Sequence, residues 1–176
     1  MRRCRGHRAA PVVADIEQLD TDRLANLLAG HDAVVFSAGA SGGNPARTYA
    51  VDRDAAIRVI DAAAQADVHR FVMVSYFGAG QDHVVPQDNS FFPYAEAKAA
   101  ADAHLRASGL RWTILGPGRL TLEPPTGRIM LGEGKGDVSR ADVALVVAAA
   151  LADDSTIGRT IDFNNGDIPI GEALAG

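Results

Sequence analysis

The sequence predicts an α/β protein built on a mostly parallel sheet, and three observations carry that expectation. Ala33-Val-Val-Phe-Ser37, Phe71-Val-Met-Val-Ser75 and Trp112-Thr-Ile-Leu115 are short continuous apolar runs, the composition of parallel strands buried on both faces. Longer segments with helical apolar periodicity lie between them. Glycine, proline and asparagine mark the boundaries. Strands alternating with helices in this way make parallel βαβ units, with helices on both faces of one sheet.

Bulk properties narrow the class. A length of 176 residues suits one domain over 1–176, with enough chain for a real core. Hydrophobic residues at 47% against 22% charged argue against disorder. A net charge of −5 argues against a nucleic-acid partner. Cys4 is the lone cysteine, which rules out an intrachain disulfide and fits a reducing, cytoplasmic setting. No apolar run approaches the ~20 residues of a membrane span, so no membrane partner is expected. His31, His69, His83 and His104 lack metal-ligand spacing, and no metal is expected.

The elements follow in order. Met1 to Arg8 is a basic, polar terminus. Pro11-Val-Val-Ala14 reads as a short strand ending at Asp15. Asp20-Thr-Asp22 can cap a helix with Leu24, Leu27 and Leu28 on its apolar face, stopped by Gly30. After the Ala33 strand, Gly39-Ala-Ser-Gly-Gly43 is a loop, and a helix runs from about Ala46 to Ala66 with Ile57, Ile60 and Ala64 as its stripe. Phe77 to Phe92 follows the Phe71 strand as a long loop, a length that is often functional. A helix carrying Tyr94 runs to Ser108 and stops at Gly109. After the Trp112 strand, Thr121 to Asp137 reads as loop. Ser139-Arg-Ala-Asp142 resembles a capping box opening a helix to Ala152. Thr160-Ile-Asp-Phe163 is the last strand, followed by an apolar tail to Leu174. The count is about five strands.

Chemistry is concentrated at one edge. In open α/β sheets, ligands bind outside the carboxyl ends of the strands. Those ends are Asp15, Ser37-Ala-Gly39, Ser75 and Gly116-Pro-Gly118. Tyr94 and Lys98 stand at i and i+4, on one helix face about a turn apart. An ammonium near a phenol favours the phenolate, and would fit Tyr94 for acid–base work. The bland alternatives are a strand-end serine, a surface Tyr–Lys pair, a capping or turn role for Asp15 and a plain turn at Gly39 to Gly43.

Strand-Ser-Ala-Gly, strand-Val-Ser, Tyr-x-x-x-Lys and strand-x-Pro-Gly, in this order, resemble the short-chain dehydrogenase/reductase superfamily. The similarity is greatest to its atypical, NmrA-like NAD(P)-binding branch, over about Val12 to Leu174, including Ser139-Arg-Ala-Asp-Val143. The resemblance implies a doubly wound, Rossmann-type fold and an oxidoreductase acting on a small carbonyl or alcohol with NAD or NADP. It implies a catalytic set of Ser75, Tyr94 and Lys98, with Lys98 also on the cofactor ribose. Asp15 would sit near the adenine, Ser37, Ala38 and Gly39 along the cofactor, and Pro117 and Gly118 beside the nicotinamide. A non-catalytic dinucleotide sensor, or a nucleotide-sugar epimerase, are the alternatives that the same resemblance permits.

The departure concerns the start of the chain. The family's first strand, Gly-x-x-Gly-x-x-Gly turn and helix have no counterpart before Val12. The expectation is therefore a truncated, N-terminally incomplete domain, whose activity the missing phosphate loop puts in doubt. Pro11 to Ala14 would lack its neighbour, and Ala33 to Phe36 would become an exposed apolar edge. A fragment or mis-started reading frame, a second subunit covering that edge, and a rearranged sheet are the three ways out.

Overall fold

The computed structural model describes residues 10–40, 43–132 and 134–175. Helix α1, Thr21–Leu28, is capped by Asp20, whose side chain accepts from the Arg23 N–H. It leads into strand β1, Ala33–Phe36. The next helical stretch is composite. It comprises α2 (Pro45–Thr48), a π-helical segment Tyr49–Ala55, and α3 (Ala56–Gln65). Strand β2 is Arg70–Val74, α4 is Phe92–Ala107 and β3 is Arg111–Pro117. Three short strands follow, β4 (Arg119–Thr121), β5 (Arg128–Leu131) and β6 (Asp137–Ser139). Helix α5 (Arg140–Ala152) and a 3₁₀ turn (Asp154–Thr156) lead to β7 (Arg159–Asn165), β8 (Ile168–Pro169) and α6 (Ile170–Leu174).

The main sheet has six strands in the order β1-β2-β3-β7-β5-β8. The first four run parallel, with Phe36 opposite Met73, Phe71 opposite Trp112 and Leu115 opposite Ile161. Strand β5 pairs antiparallel with both β7 and β8. Strands β4 and β6 form a separate parallel pair.

Two cores account for the unbroken apolar runs. On one face Val34, Phe36, Phe71, Met73 and Ile114 pack against Leu24 of α1, Val59 and Ile60 of α3, and Leu105 of α4. On the other, Val72, Leu115, Ile161 and Phe163 pack against Val146 of α5 and Ile170 and Leu174 of α6. Strands covered on both sides need no polar alternation.

Two expectations are corrected and a third is met. Pro11 to Ala14 forms no strand; Val13 is fully exposed and no backbone partner lies alongside among the described residues. The chain instead turns at Asp15, whose Oδ1 accepts from the Glu17 N–H at 3.0 Å. Arg58 holds the segment that follows, donating to the carbonyls of Ile16, Glu17 and Leu19. Thr121 to Asp137 is not all loop, because β5 lies within it and β4 and β6 flank it. Each of those strands is too short to show a period. The exposed edge is found: β1 ends the sheet, and Val35 is 40% exposed.

Candidate active site

Ser75 follows β2 directly and continues its ladder, donating its N–H to the Leu115 carbonyl at 2.8 Å. Its side chain is buried, and Oγ donates to Asp102 Oδ2 at 2.6 Å. Helix α4 supplies the facing groups. Pro93 lies in its first turn, a position where the missing N–H costs nothing. Tyr94, Lys98 and Asp102 follow at four-residue spacing, so they share one face. Ala95, Ala97, Ala99 and Ala101 are buried between them, and their small size allows the helix to pack close.

Lys98 is 1% exposed. Its Nζ donates to the Val74 carbonyl at 2.8 Å and lies 5.8 Å from the Phe36 ring centroid. Tyr94 stands in an aromatic cluster, 5.2 Å from Phe91 and 5.5 Å from Tyr76 between centroids. The long loop is tied down by His83, whose Nε2 meets Glu96 Oε1 at 2.9 Å, and by the Gly78 N–H, which donates to Asp162 Oδ2.

Ser75, Tyr94 and Lys98 open on one cavity of about 960 Å³. Ser37, Ala38 and Gly39 form its wall at the end of β1, and Gln87, Asn89, Ser90 and Phe91 close it from the long loop. Asp15, Pro117 and Gly118 do not line it. Asp15 makes the turn already described. Gly118 serves packing: an added Cβ would fall on Asn164 Oδ1 and the Gly136 carbonyl. Leu120 belongs to the wall, as do Asp52 and Arg140, to which the sequence reading gave no part in the site, and Asp102 lies behind Ser75. Asp102 was within reach, because it extends the Tyr94–Lys98 spacing by one turn. Asp52 could be suspected as a carboxylate sitting four residues before Ala56 on the buried side of its helix.

The electrostatics differ from the expectation at Tyr94. Burial pushes its phenol well above the ordinary 10, and the Asp52 and Asp102 carboxylates and Tyr76 push it further. The net shift is upward, opposite to the lowering expected from the Tyr94–Lys98 spacing. Burial also drives Lys98 down from its ordinary value, against the pull of Asp102 and Asp52. Asp102 is pushed up by burial, which outweighs the Ser75 hydrogen bond and the Lys98 charge.

Comparison with known proteins agrees with this geometry. Residues 4–154 match the NAD(P)H-binding family. The chain is 42% identical over 171 residues to the "uncharacterized sugar epimerase YhfK" of Bacillus subtilis, covering 94% of this chain and 78% of that protein. Among solved structures, the oxidoreductase ylbE from Lactococcus lactis superposes with a TM-score of 0.85 at 30% identity, covering 93% of this chain and 75% of that one. A putative NAD-dependent epimerase/dehydratase from Bacillus halodurans gives 0.84 at 34% identity, covering 93% and 76%. A mostly parallel sheet, a cavity at the carboxyl ends of its strands and these relatives lead to one assignment: the chain belongs to the NAD(P)H-binding family, in the epimerase- and oxidoreductase-like group of the short-chain dehydrogenase/reductase and NmrA-like type.

Proposed function

We propose that the protein is an NAD(P)H-dependent oxidoreductase that reduces a small carbonyl compound, or oxidises the matching alcohol, in the cavity beneath Tyr94. The observation that carries this reading is the convergence of Ser75, Tyr94 and Lys98 on one cavity beside the Ser37–Gly39 run. The residues fit a nicotinamide cofactor. Gly39 brings backbone close to the cavity, and Lys98 has donors beyond the one given to Val74. When bound, the nicotinamide supplies or receives the hydride.

The protein's own groups handle the proton. Tyr94, held protonated by its surroundings, donates its phenolic hydrogen to the carbonyl oxygen as the hydride arrives at carbon. Lys98 lies one turn below and offsets the phenolate that results. Ser75 has a single hydroxyl hydrogen, and Asp102 takes it. Ser75 therefore meets the substrate as an acceptor, receiving the hydrogen of the newly formed hydroxyl and fixing its direction.

A second reading, epimerisation, is favoured by two relatives, one named a sugar epimerase and the other an NAD-dependent epimerase/dehydratase. It uses the same groups for oxidation followed by reduction on the opposite face. The sensor alternative needs the cavity but not the Tyr94 proton.

The test is a titration of purified protein with NADPH and NADH, followed by nicotinamide fluorescence, and then turnover on a panel of carbonyls and sugar nucleotides. Tyr94→Phe should retain cofactor binding and lose roughly 10²-fold or more in turnover. Because the Tyr94 phenol is raised, reduction should stay flat from about pH 6 to about pH 9, while oxidation should climb with pH. Cofactor binding with no turnover on any substrate in wild type supports the sensor instead. Turnover unchanged in Tyr94→Phe removes Tyr94 from the chemistry.

A further inference from the structure

Asp52 is the cavity group that the proton chemistry above leaves unused. It is 1% exposed, and its Oδ2 accepts from the Ala40 N–H at 3.0 Å. Its Oδ1 is buried and has no hydrogen-bond partner among the described residues. Leaving a buried carboxylate oxygen unpaired is costly, and native folds rarely do so without a use.

Two features of the fold shape the wall around that oxygen, and Asp52 is among the residues that line the cavity. Asp52 lies inside the π-helical stretch Tyr49–Ala55, a wide-turn geometry that is rare and frequent at functional sites. Across from it, residue 39 is glycine: a Cβ there would stand 3.1 Å from Oδ1, close enough to crowd it. The neighbours complete the arrangement. Asp52, Tyr94 and Lys98 all line the one cavity, and the Asp52 charge is felt by both the Tyr94 phenol and the Lys98 ammonium. Lys98 offers donors only, Asp52 Oδ1 an acceptor only. A vicinal diol, each of whose hydroxyls donates once and also accepts, satisfies both together. A lone carboxylate oxygen beside an ammonium makes no cation site.

We propose that Asp52 Oδ1 accepts a hydrogen bond from a ribose hydroxyl on the nicotinamide side of the bound dinucleotide, while Lys98 donates to the same diol. This rests on the dinucleotide reading above. Asp52 thereby becomes a binding residue for the cofactor, and its other oxygen fixes the Ser37–Ala40 wall along which the cofactor lies.

Asp52→Asn is the informative variant. Its amide oxygen can keep the Ala40 bond, while its NH₂ puts a donor where Oδ1 was an acceptor. Wild type and variant are titrated calorimetrically with NADPH and NADH, and with ADP as a probe of the adenine half. The expected result is dinucleotide binding weakened by about tenfold or more, ADP binding within about twofold of wild type, and an unchanged thermal midpoint. Gly39→Ala, which crowds Oδ1 and keeps the carboxylate, should weaken dinucleotide binding in the same direction by less. Asp52→Asn binding dinucleotide as tightly as wild type overturns the assignment, and so does an equal loss for ADP, which would mean general damage to the cavity. Wild type that binds neither dinucleotide defeats the cofactor reading itself, and the Asp52 assignment falls with it.

Discussion

Asp142 and Asp102 are both completely buried aspartates near the ends of the same parallel sheet, and they have opposite characters. Asp142 is saturated. Its two oxygens accept from the N–H groups of Thr126 and Gly127, at 2.8 to 3.1 Å, and from Ser139 Oγ at 2.9 Å. Burial pushes its carboxyl up, but these donors win and hold it below the ordinary 3.8. Asp102 takes one bond from Ser75, its Oδ1 has no partner among the described residues, and burial holds it above 3.8. The first ties the start of α5 to the turn before β5. The second sits behind the cavity with capacity to spare. Burial alone therefore does not mark a working carboxylate; unspent hydrogen-bonding capacity beside a cavity does.

Stability measurements at several pH values can break this contrast. Asp142→Ala should have the largest effect, a loss of about 3 kcal/mol at neutral pH. Asp142 has a depressed folded value, so its contribution is complete above 3.8 and disappears as pH falls through that lower value. The deficit of the variant, read from urea midpoints, should shrink in acid. A deficit that persists in acid would mean the side chain matters for packing rather than charge.

Asp102→Asn should change stability by only about 1 kcal/mol, with the reverse pH trend. The raised folded value means that wild type holds its advantage below 3.8 and loses it as pH rises through the folded value. The neutral variant should therefore gain on wild type between acid and neutral pH. If it loses ground instead, Lys98 stabilises the Asp102 anion more than burial penalises it.

The smallest effect is expected for Ser75→Ala, about 0.5–1 kcal/mol, because Asp102 can hold a proton when its donor is lost. Its signature lies elsewhere. The Ser75 hydrogen bond is the foremost influence holding Asp102 down, so the Asp102 carboxyl should titrate higher in this variant, read by carboxyl carbon NMR. An unmoved titration would show that Ser75 does not donate to Asp102 in solution.

Much of the scaffold was legible in the sequence because β1, β2, β3 and the centre of β7 are buried apolar runs, and α1, α4 and α5 carry recognisable starts or stops. The strands of three or four residues were not. In β5 only Ile129 is fully buried, and in β6 the run is Asp-Val-Ser, so neither shows a period. Pro11 to Ala14 has strand composition, but composition cannot supply a neighbour to pair with. At the site, Ser75, Tyr94 and Lys98 were readable as a pattern along the chain. The roles of Asp52 and Asp102 were not, because they depend on which oxygen has a partner. That is a property of three-dimensional packing.

The register Phe71–Trp112 has a use of its own. Trp112 is the only tryptophan, and it sits at the start of β3, the strand that lies between β2 and β7. β7 joins β3 only after β4, β5, β6 and α5 have been passed in the chain, so the middle of the sheet closes a long loop before it gains from pairing. Such non-local topologies refold over roughly milliseconds to seconds. A single indole at that seam is a built-in clock for the event, with emission that can be followed apart from nicotinamide fluorescence in the cavity.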